Sequence, residues 1–93
     1  MTTTVVAQNI AFDTSTITLA ADVVSTLTLD NRDAGVQHNI AIYADSSMAE
    51  ELFNGELITG PTTVDYSIPA LPAGEYYFAC IVHPNMNGMV VVQ

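Results

Sequence analysis

In the segment Cys80-Ile81-Val82-His83-Pro84-Asn85-Met86-Asn87-Gly88 a thiol, an imidazole and a thioether recur every third residue. Extended, the stretch from Cys80 to Met86 would cover about 20 Å, but Pro84 and the Asn and Gly after it favour a bend that converges the three donors. Soft and borderline donors brought together on one tight loop are the pattern of a metal-binding loop. A fourth donor is needed, and His38 is the other histidine of the chain. Under the two-residue side-chain period of a strand, His38 shares a face with Ile40 and Ile42, and Cys80 shares one with Phe78 and Tyr76. Both donors are expected to point into an apolar interior. Such a roof excludes water from a metal and limits reorganisation when its charge changes.

The donor set narrows the metal. Two imidazoles, one thiolate and a weak thioether suit copper in both oxidation states, whereas structural zinc more often takes four Cys and His ligands. Taken singly these residues carry little weight. A lone cysteine is most often a small buried hydrophobe, and a methionine near a valine run is ordinary core filling. The joint spacing, with His38-Asn39 placed on an earlier strand, is what points to a metal.

The elements that must position these side chains read as strands, because apolar and polar residues alternate over short stretches separated by turn residues. Strands are expected near Thr4–Phe12, Thr16–Leu19, Val23–Leu29, Asn39–Tyr43, Val64–Ile68, Tyr76–Ala79 and Gly88–Val92, about seven in all, as in a sandwich. Turns are marked by Arg32-Asp33-Ala34-Gly35, Asn54-Gly55, Gly60-Pro61, Leu71-Pro72-Ala73-Gly74 and His83-Pro84-Asn85. The exception is Ser46–Phe53, where Ser-Ser precedes Met-Ala-Glu-Glu-Leu-Phe, a cap signal followed by helix formers, so one or two helical turns are expected there. Tyr76-Tyr77-Phe78 could form a hopping path for electrons, but aromatic residues in a strand mostly pack. Met48 and Phe53 stay unassigned between sealing the helical segment and joining a docking surface.

The chain has 93 residues, a one-domain length with one compact core expected over residues 1–93. Ten acidic side chains against Arg32 give a formal charge of −9, a surface that repels nucleic acid and anionic membrane. The acids are not run together in sequence, so they keep the domain soluble or steer a basic partner according to how the fold gathers them. Cys80 is the one cysteine, so no internal disulfide can form, and stability must come from packing or metal. The start Met1-Thr2-Thr3-Thr4 lacks a basic region followed by an apolar one, and no apolar run approaches the roughly 18 residues of a membrane helix. The chain is expected to be soluble, without membrane contact of its own.

His38-Asn39, the Cys80-x-x-His83-Pro84-x-Met86 loop and the Gly88 after it resemble the copper site of the cupredoxins. The spacing is similar to that of amicyanins, whereas plastocyanins and pseudoazurins place the axial Met two residues later; Met89 fits neither. The likeness covers nearly the whole chain, including Asp33-Ala34-Gly35 before His38-Asn39 and Gly60-Pro61 before a strand. It implies an all-β, antiparallel Greek-key β-sandwich holding one type 1 copper, with His38, Cys80 and His83 equatorial and Met86 axial. It also implies that Asn39 braces the ligand loop with its side chain. The cysteine's neighbours here are Ala79 and Ile81, so the side-chain hydroxyl that would meet that brace is missing.

The function implied is one-electron transfer by Cu(I)/Cu(II) cycling, through His83 as the donor nearest solvent. The partner would be a redox protein such as a cytochrome or an oxidase, docking on an apolar surface near Pro84. A monomer in the periplasm or outside the cell is expected, and no enzyme activity. The alternative is a copper carrier or reservoir using the same ligands, although paired cysteines and Met-rich runs are absent. A Cys80–His83 nucleophilic pair would want an orienting group and an oxyanion pocket. With both histidines taken by one copper, a second copper centre cannot be built. A purely adhesive sandwich would leave the donor spacing as coincidence.

Overall fold

The computed structural model describes the backbone of residues 2–93 and, Thr2 and Pro84 apart, their side chains. Among the described residues ten strands form: β1 (Thr2–Ala7), β2 (Thr16–Leu19), β3 (Ser25–Asn31), β4 (Gln37–His38), β5 (Ala41–Tyr43), β6 (Glu51–Asn54), β7 (Ile58–Thr59), β8 (Thr62–Ile68), β9 (Gly74–Cys80) and β10 (His83–Val92). In β3 every second residue, Ser25, Leu27, Leu29 and Asn31, is buried, as the pleat requires. Strands β1, β3 and β8 form one sheet, β2, β10, β9, β5 and β6 a second, and β4 pairs with β7. The core lies between the sheets, where Val5, Leu27, Leu29 and Ile68 of the first meet Ile17, Ile42, Phe78 and Val90 of the second. The expected all-β sandwich is thus present.

Two pairings depart from the antiparallel expectation: β1 runs parallel to β3, and β2 runs parallel to β10. Alternation reports which face a residue occupies and is blind to strand direction. Direction is set by the path, because β1 lies in the first sheet, β2 crosses to the second, and β3 returns to lie beside β1.

The helical turns expected in Ser46–Phe53 do not form, and no helix occurs among the described residues. Asp45 instead accepts a hydrogen bond from the Ser47 N–H at 2.9 Å, a local turn that competes with a helix start. Met48 sits at φ 60°. Glu51–Asn54 then pairs with β5 as the edge of the second sheet, and Phe53 packs on Tyr66 with ring centroids 5.6 Å apart. Tertiary pairing outweighs the propensity of Met-Ala-Glu-Glu. Phe53 therefore seals the hairpin to the core, while Met48 is exposed.

Boundaries shift for identifiable reasons. The strand expected over Thr4–Phe12 ends at Ala7, which bridges Phe12 across a small loop. The strand expected over Asn39–Tyr43 is shortened to Ala41–Tyr43, with Asn39 and Ile40 linking it to β4, which ends at His38. Phe78 is fully buried and Tyr76 donates its hydroxyl to Pro72 O at 2.6 Å, so the aromatic triplet serves packing.

Candidate metal centre

Strand β9 brings Phe78 and Cys80 to the inner face, with Cys80 1% exposed. The chain reverses through a two-residue turn at Ile81 and Val82, so that His83 stands opposite Cys80. The next pair in the ladder is Asn87 with Ala79, which leaves residues 84–86 without partners and bulges them out of the β10 edge. A bulge re-aims side chains that a regular strand would alternate between faces. The bend expected at His83-Pro84-Asn85 is thus a turn one step earlier followed by this bulge. Met86 is 2% exposed and belongs to the same apolar cluster as Cys80. A Cβ at residue 88 would run into the Ser15 carbonyl and the Phe78 ring, so Gly88 lets β10 close over Phe78.

His38 arrives from the other side, at the end of β4, where it pairs with Ile58 of β7. It is fully buried. Its Nδ1 lies 3.9 Å from the Cys80 Sγ, and the His83 Nδ1 lies 3.6 Å from the same sulfur. The donor atoms of all three lie within 4.8 Å of one another, and the imidazole centroids are 4.9 Å apart. Thiolate and imidazole bonds of about 2.0–2.3 Å, the range for a comparable divalent ion, would set trigonal donors roughly 3.5–4 Å apart. The two spacings to sulfur meet that test, and together with the thioether of Met86, buried in the same core cluster as Cys80, the four residue types have the make-up of a type 1 copper site. His83 is the partly exposed member, flanked by the exposed Ile81 and Val82. The side chain of Pro84, expected beside a docking surface, lies outside the described residues.

The buried polar residues around the donors have partners. Asn39 is fully buried. Its Oδ1 accepts from the Ile81 N–H at 3.0 Å, while its Nδ2 donates to Gly55 O at 2.8 Å and Asn54 Oδ1 at 3.0 Å. The side-chain brace therefore exists, made to a backbone amide where no hydroxyl is available. Asn31 is equally buried. It donates to Val36 O and Ile58 O at 2.9 Å each, and its Oδ1 accepts from the Asp33 N–H at 3.0 Å. These bonds hold the 31–36 turn that leads into β4.

Asp33 is the residue that sequence reasoning missed, read there as turn chemistry and surface charge. Its Oδ2 lies 2.7 Å from His38 Nε2. That bond fixes the proton on Nε2 and turns the Nδ1 lone pair towards Cys80. The signal that could have found it is a carboxylate five residues before a histidine, across a glycine turn.

A model of the cupredoxin-like domain matches residues 1–92. Among solved structures, the chain is similar to auracyanin A, described as a "blue" copper protein from the green thermophilic photosynthetic bacterium Chloroflexus aurantiacus, with TM-score 0.87 and 21% identity over 100% of this chain and 98% of that one. Reduced auracyanin from Roseiflexus castenholzii aligns with TM-score 0.84 and 18% identity, covering 99% of this chain and 96% of that one. Amicyanin from Paracoccus versutus (Thiobacillus versutus) aligns with TM-score 0.71 and 29% identity, covering 97% of this chain and 79% of that one. No curated protein matches by sequence. With the family model spanning all but the last residue and the donors gathered at one end of the sandwich, this chain belongs to the cupredoxin-like domain family.

Proposed function

We propose that the protein is a single-electron carrier that holds one copper ion with His38, Cys80 and His83 as equatorial ligands and Met86 as the axial one. The observation that carries this reading is the convergence of the His38 and His83 Nδ1 atoms on the Cys80 sulfur, at 3.9 and 3.6 Å. Bound copper would supply reversible exchange between Cu(I) and Cu(II). The chain's own residues supply the rest. Burial of His38, Cys80 and Met86 excludes water, and the Asn39 brace keeps the loop after Cys80 from relaxing between oxidation states. Burial of three of the four donors supports a resident ion over one passed onward.

His83 is partly exposed and follows directly on Ile81 and Val82, which are 42% and 44% exposed. A protein redox partner, such as a cytochrome or an oxidase, would dock at that end, and the protein would act as a monomer outside the cytoplasm, making no bonds in a substrate. The test is a Cu(II) titration followed by visible absorption and EPR, then ascorbate. An intense red-region band that saturates at one equivalent and bleaches on reduction is expected. Cys80→Ser should abolish that band while leaving the fold intact. A blue colour surviving in that variant, or a colourless wild-type protein, would sink the reading.

A further inference from the structure

The loop between β1 and Phe12 has no part in donating to a metal, yet it carries an unusual backbone. Asn9 and Ile10 are consecutive residues at φ 58° and 54°, and a β-branched residue in the left-handed region is a genuine outlier. Such conformations persist where surrounding structure over-determines them, and they cluster at functional sites. Here two successive N–H groups are turned the same way, forming a small anion-binding concavity. Its occupant is the Asp33 carboxylate: Asn9 donates to Oδ1 at 2.6 Å and Ile10 to Oδ2 at 2.9 Å. Phe12, at the far end of the loop, packs on Phe78 with centroids 5.5 Å apart, two residues before Cys80. Asp33 is also held through its own N–H by the buried Asn31.

We propose that Asp33, clamped by the Asn9 and Ile10 amides, is a positioning residue that orients His38 through Nε2 and favours the oxidised over the reduced metal. This rests on the copper reading above. The carboxylate's remaining bond is to a fully buried imidazole, so its negative charge is transmitted to a donor shielded from solvent. Carboxylate partners of this kind raise the basicity of a ligating histidine, and losing one typically costs about 10–100-fold in metal affinity. The strained loop keeps the carboxylate in place before any metal arrives.

The experiment compares copper-loaded wild-type protein with Asp33→Asn. One equivalent of copper and a blue band should be retained, while affinity for Cu(II) falls about tenfold or more relative to Cu(I), a rise in reduction potential of about 59 mV per factor of ten for one electron. An unchanged potential in a folded, blue variant overturns the proposal. A second measurement needs no variant. In the diamagnetic Cu(I) wild-type protein, the His38 Nε2 proton should exchange slowly with water and lie close to the Asn9 and Ile10 amide protons by NMR. Fast exchange, or absence of those contacts, equally overturns it. A wild-type protein that takes up copper without turning blue defeats the copper reading itself and this proposal with it, and that result appears before any variant is made.

Discussion

Asn39 ties three separate segments together from within the core. Its amide joins the turn after Cys80 to the end of β6 and to Gly55 beyond it, so one side chain sets the distance between the two halves of the centre. Asn39→Ala strands the Ile81 N–H and the Gly55 carbonyl. At about 1–3 kcal/mol for a buried group left without a partner, the buried Gly55 carbonyl dominates the loss, since Ile81 lies on an exposed turn, and the loss should be on the order of 2 kcal/mol. Urea denaturation of the copper-free protein checks it; a loss below about 0.5 kcal/mol would mean that those groups find other partners. The residue scale also shows where sequence reading stops. That Cys80, His83 and His38 come together was legible because their chemistry is written in their types and spacing. Asp33 and Asn31 were not, since an acid or amide near a glycine turn has the same local signature whether it serves the turn alone or reaches a histidine in space.

Among the elements, β8 and the end of β6 meet at one tight point. A Cβ on Gly55 would strike the Tyr66 ring and the Ile40 carbonyl, so glycine is what lets the chain lie flat on that ring. The Tyr66 hydroxyl donates to Glu56 O at 2.6 Å. Burial first, then the charges of Glu56 and Cys80, push its pKa from the ordinary 10.0 up to about 12. The unfolded chain therefore releases this proton at lower pH than the folded one. Stability is fully present below about pH 10 and falls as pH rises from there towards 12, by about 2–3 kcal/mol over the two units. Denaturant midpoints across that range should show the fall in wild-type protein and a shallower one in Tyr66→Phe. Equal slopes would mean that Tyr66 titrates normally. Elements were legible where alternation is strong, as in β2 and β3. Pairing direction was not, nor was the fate of Ser46–Phe53, because a strand edge waiting at β5 is a property of the assembled sheet and leaves no trace in eight residues of local sequence.

Over the whole molecule, the one basic side chain is already engaged: Arg32 pairs with Asp30 at 3.0 Å. A formal charge of −9 then acts on any reagent that approaches. Oxidation of the copper-loaded, reduced protein by a cationic cobalt complex should slow as ionic strength rises, and oxidation by ferricyanide should quicken, with most of the change complete by about 0.15 M, where the screening length is about 8 Å. Stopped-flow rates against salt decide it; flat responses with both reagents would show that the acids lie away from the reacting end. That end is where His83, alone among the four donors, meets solvent. The opening through which an electron could reach a docked protein is therefore also the opening through which an ion could escape. On the proposed electron-carrier reading, a partner seated there would act as a stopper, so copper should be lost most readily from the free protein and least readily from the docked one.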